Sequence, residues 1–170
     1  MSGSRSGSFR VSVTKDYLIF AAAHFITFRG HRCEALHGHN YRVGIAVEGT
    51  TDDEVHWVLD FSDLKQLVRA LLAEVDHRVL LPTESVKLRL EEADERITVY
   101  AFDEPRYVFP ARDCVRLPVP NTTVEKLAEY FAHRVREGLA AKGFANLTRL
   151  ELEVEESPGQ SATYRLALGA

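Results

Sequence analysis

Only two cysteines, Cys33 and Cys114, occur in the 170 residues. That rules out a disulfide framework and fits free thiols in a reducing cytoplasm. Basic charge is not in surplus either: 21 Lys and Arg face 25 Asp and Glu, for a net charge of −4. Neutralising phosphates along a nucleic acid needs the opposite balance, so no nucleic-acid partner is expected, although local basic pockets for small anions stay open. No apolar run approaches the roughly 20 residues of a membrane span, so no membrane partner is expected. The opening stretch, MSGSRSGSFR, lacks the apolar segment of a secretory leader. A cytoplasmic location is therefore expected, with residues 1–8 disordered. No internal repeat, low-complexity tract or second domain stands out, so residues 1–170 are expected to form one domain.

What remains is an ordinary globular composition, 45% apolar and 27% charged, arranged in clear periods. The run from Phe9 to about Phe25 is β-rich. From Asn40 to Glu48 apolar residues alternate at Tyr41, Val43, Ile45 and Val47, the period of a half-buried strand. The two runs look like a long hairpin around a polar loop, Thr27 to Leu36. Next, Leu64, Leu67, Val68, Leu71, Leu72 and Val75 fall on one helical stripe, with Asp60 or Ser62 to cap it. Val124, Leu127, Ala128, Phe131, Val135 and Leu139 form a second stripe. Thr122 and Glu125 have capping-box spacing before it, and Gly143 stops it. Two alternating runs close the chain, Leu150-Leu152-Val154 and Tyr164-Leu166-Leu168, with SPGQ as the turn. The skeleton is ββα…αββ. Between Pro82 and Pro120, RITVYAF and RYVFPA suggest a small extra hairpin, while the charged run LRLEEADER reads as a solvated excursion. Four strands with two helices on one face leave both sheet edges open, so pairing with other subunits is expected.

The chemistry concentrates in CEALHGHNY, residues 33–41. On a strand, His37 and His39 point to the same face with Cα atoms about 7 Å apart. His24, ending AAAH on the neighbouring strand, comes alongside them. Three neutral imidazoles can hold one zinc ion and leave a fourth position open, the pattern of a catalytic site. An H-x-H pair alone is weaker, since such pairs are often solvated, and His24 alone could be a packed histidine. Cys33 is either a reactive thiolate near that metal or an inert buried thiol. Strand parity turns Glu156 inward and Glu151, Glu153 and Glu155 outward. An inward carboxylate suits a ligand with paired N–H donors, unless the strand has already ended there. Asp76 and His77 can form a proton-transfer pair, or simply a frayed helix end.

FAAAHF, GHRCEALHGHNY, LDFSDLK, EVDHRVL, NTTVEKLAEYF and VEESPGQSATY resemble, in order, the 6-pyruvoyltetrahydropterin synthase/6-carboxytetrahydropterin synthase family. The resemblance implies an α+β tunnelling fold, a ββααββ antiparallel sheet with two helices on one face, its strands joining a trimeric barrel and two trimers stacking as a hexamer. It implies Zn2+ on His24, His37 and His39, Cys33 as general base, and Asp76 with His77 as proton-transfer partners. Glu156 would anchor a pterin ring, helped by Thr122 and Thr123, and Arg29, His31 and Arg32 would contact a triphosphate. The implied substrate is 7,8-dihydroneopterin triphosphate. The implied product is 6-carboxy-5,6,7,8-tetrahydropterin, with acetaldehyde and triphosphate released, on the route to queuosine. The alternatives are 6-pyruvoyltetrahydropterin and, because Glu34 overlaps the cysteine motif as E-x2-H-G-H, side-chain cleavage to 6-hydroxymethyl-dihydropterin for folate synthesis. A pterin enzyme of the same fold without zinc and a non-catalytic binding module are the rival classes. The segment 83–120 departs from the family pattern as an extended insertion between the helices.

Overall fold

The computed structural model describes residues 7–14, 16 and 18–168; most of the stretch expected to be disordered lies outside them. The chain's longest strand, β5 (His37–Gly49), organises the architecture. On one flank it pairs antiparallel with two shorter strands in succession, β2 (Ile19–His24) along its first half and β1 (Phe9–Val13) along its second. On its other flank lies β11 (Leu147–Ser157), which turns at Gly159 into β12 (Gln160–Ala167). The expected hairpin is thus real, but its first arm is two strands, and its loop contains a miniature hairpin, β3 (Thr27–Phe28) and β4 (Arg32–Cys33).

The sheet is wider than four strands and is mixed rather than purely antiparallel. β6 (Arg78–Pro82) lies parallel to β2, and β10 (Cys114–Leu117) parallel to β6, in the order β10-β6-β2-β5-β11-β12. α1 (Phe61–Val75) and α2 (Val124–Ala141) cover one face. Tyr41, Val43, Ile45 and Val47 meet the buried stripes Leu64-Val68-Leu71-Leu72-Val75 and Leu127-Ala128-Phe131-Val135-Leu139 in one large core. A Cβ on Gly138 would stand 2.3 Å from a Leu67 methyl, so the absent side chain is what lets the helices approach. No helix among the described residues is long and apolar enough to cross a membrane.

The caps divide. Asp60 caps α1, its carboxylate accepting from the Ser62 N–H at 2.7 Å. The capping box expected from Thr122 and Glu125 does not form. Thr123 is the N-cap, without a side-chain bond, and the Thr122 hydroxyl instead donates to the Phe25 carbonyl at 3.0 Å. α2 ends where Gly143 takes a left-handed turn, φ +79°.

The segment between the helices forms its own antiparallel sheet: β7 (Leu88–Ala93), β8 (Arg96–Ala101) and β9 (Glu104–Pro110). The expected hairpin is β8–β9. LRLEEADER is not a solvated excursion: its first half is β7, with Leu88 and Leu90 turned inward and the charges on the outer side or in the turn. Ile97 and Val99 of this small sheet pack with Phe25 and Leu81 in a second core, against which Cys33, Tyr107, Phe109 and Cys114 also lie.

Candidate metal and active site

In the β2–β5 register His24 stands directly opposite His37, and Ala22 opposite His39. Alternation puts all three imidazoles on the helix-facing side, at the end of the large core. Their ring centroids lie 4.7 Å (His24–His37), 4.8 Å (His37–His39) and 5.3 Å (His24–His39) apart. The β11 strand adds Glu156, and one ligand atom from each of the four residues lies within 4.8 Å of the others. The turn into β12 is bulged between Glu155 and Ser157. The parity that carries Leu150, Leu152 and Val154 inward brings Glu156 to the imidazoles. Glu155 keeps the expected outward parity, paired with Arg42 and Ser161, but is buried there, its carboxylate accepting from the Gly159 N–H at 3.1 Å.

The outer nitrogens of two histidines are held in ways that suit metal ligation. His24 Nδ1 meets the Thr122 carbonyl at 2.9 Å, and His37 Nδ1 meets the Ala35 carbonyl at 2.9 Å. A carbonyl only accepts, so each Nδ1 carries the proton and each Nε2 keeps its lone pair for the site. Glu156 Oε1 lies 2.8 Å from His39 Nε2 and 3.3 Å from His24 Nε2. Neither contact is aligned as a hydrogen bond, and both imidazole nitrogens, like the Tyr41 hydroxyl beside them, are buried without a hydrogen-bond partner among the described residues. Buried polar atoms that converge without pairing are costly unless a cation takes their lone pairs. These residues fit a metal ion of the nitrogen- and oxygen-preferring kind. Burial pushes the His24 imidazole below its ordinary pKa, which keeps it neutral, the state a ligand needs.

The loop before β5 carries the two other reactive candidates, and they diverge. Glu34 lies at the outer edge of the cluster, its Oε2 3.8 Å from His37 Nδ1, the nitrogen turned away from the other imidazoles, and accepting from the Ile26 N–H at 3.4 Å. Burial, and then the nearby carboxylates of Glu156 and Glu34, push the Tyr41 phenol far above its usual range. Cys33 instead packs against the second core, its Sγ 3.6 Å from the Glu34 carbonyl. Burial pushes this thiol up, with Arg106 opposing. Cys114 packs on the same core with its thiol at the Pro110 carbonyl.

Asp76 and His77 follow α1. The Ala21 N–H donates to Asp76 Oδ1 at 2.8 Å, and Oδ2 lies 2.9 Å from His77 Nδ1, while the His77 ring stands largely in solvent. A shallow groove is lined by His77, Gly38, His39 and Asn40. Thr122 is buried and bonded to both the His24 and Phe25 segments, and Thr123 opens α2 beside it. Arg29, His31 and Arg32 lie on the exposed β3–β4 tip, apart from the four-residue cluster. His31 packs on Phe102 and borders a groove of about 630 Å³ with Lys87 and Arg89; Arg32 stacks over Phe28.

Sequence reasoning missed Tyr41, Asn121, Arg106 and Tyr107. Tyr41 was legible, since it continues the His37-His39 parity. Asn121 holds β3 to the start of α2, accepting from the Thr27 N–H at 3.2 Å and donating to the Thr27 carbonyl at 3.1 Å. Nothing local marks it.

Residues 12–167 match the family model for 6-pyruvoyl tetrahydropterin synthase. A Methanocaldococcus jannaschii protein whose provisional name is 6-carboxy-5,6,7,8-tetrahydropterin synthase is 34% identical over 148 residues, 87% of this chain and 90% of that one. The structure of Plasmodium falciparum 6-pyruvoyl tetrahydropterin synthase superposes with a TM-score of 0.88 at 34% identity, over 95% of this chain and 99% of that one. The Plasmodium vivax enzyme, in a variant with a catalytic glutamate replaced by alanine, does so with a TM-score of 0.88 at 32% identity and the same coverage. Sequence, fold and the clustered imidazoles agree that this chain belongs to the 6-pyruvoyl tetrahydropterin synthase family.

Proposed function

We propose that the chain is a zinc-dependent lyase acting on the C6 side chain of 7,8-dihydroneopterin triphosphate. The observation that carries the reading is the convergence of His24, His37 and His39 as the ion's ligands, two of the imidazoles already set in the ligand tautomer, with the Glu156 carboxylate beside them. Zinc, when bound, supplies Lewis acidity towards the side-chain hydroxyls. Glu34, or Cys33 beside it, takes a proton at that centre, and Asp76 orients His77 to return one. Glu156 takes the pterin's paired N–H donors with Thr122 and Thr123 at the ring, and Arg29, His31 and Arg32 meet the triphosphate. The open strands β10 and β12 pair with further copies, as a trimer or hexamer.

The product proposed first is 6-carboxy-5,6,7,8-tetrahydropterin with acetaldehyde, supported by the name of the M. jannaschii relative. One observation favours a second reading, cleavage to 6-hydroxymethyl-dihydropterin. The Glu34 carboxylate lies 3.8 Å from His37 Nδ1 while the Cys33 thiol packs on the second core, and the P. vivax relative has a catalytic glutamate. Incubating the purified chain with the substrate and weighing the products separates these masses from 6-pyruvoyltetrahydropterin. Glu34→Gln is expected to lower turnover at least 100-fold and Cys33→Ala less than tenfold, both retaining zinc. A reversed order returns the base role to Cys33, and no turnover in the parent chain removes the lyase reading.

A further inference from the structure

The three-stranded sheet between the helices reaches back onto the loop between Cys33 and His37, and it does so through β9. The β8–β9 register passes from Val99↔Tyr107 to Tyr100↔Pro105, leaving Arg106 as the extra residue of a bulge. A bulge bends its strand and re-aims a side chain. Here the Arg106 guanidinium donates through one nitrogen to both the Cys33 and Glu34 carbonyls, at 3.1 Å each. The neighbouring Tyr107 hydroxyl accepts from the Leu36 N–H at 3.0 Å and donates to the Glu34 carbonyl at 3.4 Å. Its ring lies 5.1 Å from that of Phe25, the fully buried residue that follows His24. At the start of β7, Lys87 donates to the Phe28 carbonyl at 2.9 Å.

The peptide clamped in this way is the one that orients a metal ligand. Ala35 sits between the two anchored groups, the Glu34 carbonyl and the Leu36 N–H, and its own carbonyl holds His37 Nδ1. Whatever fixes Ala35 therefore fixes the direction of His37 Nε2. The same bonds fix the backbone from which the Glu34 carboxylate projects.

We propose that Arg106 and Tyr107 are positioning residues. The small sheet β7–β9 is a brace that sets the Glu34-Ala35-Leu36 peptide, and through it the metal-facing nitrogen of His37 and the carboxylate of Glu34. The metal and turnover parts rest on the zinc lyase reading; the brace itself does not.

The test uses the full chain with single substitutions. Tyr107→Phe removes the hydroxyl and keeps the ring in the second core, and Arg106→Ala removes an exposed guanidinium that no core depends on. In both, zinc affinity measured by chelator competition is expected to fall about tenfold, the usual cost of losing a group that orients a ligand. Amide hydrogen exchange of residues 33–37 is expected to quicken without zinc, and kcat to fall more than KM rises. Arg106→Lys, which keeps a cationic donor, recovers part of each loss. Val108→Ala, on the exposed side of the same strand, leaves all three readouts unchanged. Parent-like zinc affinity and exchange in Tyr107→Phe and Arg106→Ala overturn the proposal. If the parent chain turns over no pterin, the lyase reading fails while affinity and exchange still decide the brace. If it binds no zinc, the metal reading fails and exchange alone decides. Should Tyr107→Phe not fold, the Arg106 variants carry the test.

Discussion

The large core and the small core meet at the histidines from opposite sides. From the large core comes Tyr41, stacked on Phe20 at 4.7 Å, its ring centroid 5.5 Å from that of His39 and 5.9 Å from that of His24. From the small core come Phe25 and Tyr107, next to His24 and to the loop before His37. The large core joins long strands to whole helix faces, so much apolar surface leaves water at once. The small core gathers Phe25, Leu81, Ile97 and Val99 from three separate segments and ends in polar bonds to a loop. The difference separates two tasks. One core holds the fold, and the other holds the geometry of a site.

The comparison breaks most readily with paired truncations. Phe131→Ala, in the large core, is expected to cost about 3–5 kcal/mol in denaturant unfolding while the folded fraction keeps its zinc affinity. Phe25→Ala is expected to cost less stability and to weaken zinc binding as well. Equal losses of both properties in both variants would end the division of labour. A smaller effect comes from the metal itself. Zinc at 100 times its dissociation constant is expected to stabilise the parent chain by about 2.7 kcal/mol. The gain should survive in Phe131→Ala and vanish in His24→Ala; a gain retained in His24→Ala would place the ion elsewhere.

The smallest expected effect belongs to Asp76, at the margin of the large core. The Ala21 N–H, then His77, hold its carboxyl below the ordinary value of 3.8. A folded-state pKa below the unfolded one stabilises the chain in full above the unfolded value, and this is lost as pH falls through the folded value. The side chain is 41% exposed, so screening keeps the contribution to about 1 kcal/mol at most. Asp76→Asn is expected to lower stability slightly at pH 7 and to match the parent at the acid end of a pH series of denaturant unfolding; a constant offset across that series would point to lost packing instead.

Much of the large core was legible because its signals are local. Alternation in β5, two apolar stripes, Asp60 before α1 and Gly143 after α2 each act over a few residues, where propensity and burial agree. The H-x-H pair was legible for the same reason, since a strand's period of two puts both imidazoles on one face. The small core was not. Leu88 and Leu90 lie among charges, and only the company of β8 makes them inward residues. Thr122 carries an N-cap signature but spends its hydroxyl on Phe25, 97 residues away. Glu155 is outward by parity, yet the turn into β12 buries it, its carboxylate taking the Gly159 N–H.

By itself the sequence determined which residues repeat with the period of a strand or a helix, and hence which faces are apolar and which histidines share a side. Those are consequences of covalent geometry and solvent preference over a few residues. Only the tertiary structure decided that the Glu34 carboxylate lies beside His37 while the Cys33 thiol packs on the second core, and that an arginine 72 residues along holds the peptide between them and His37. A side chain's direction in a loop depends on which distant backbone groups can be bonded and which apolar atoms can be covered. Those partners exist only once the chain has closed on itself.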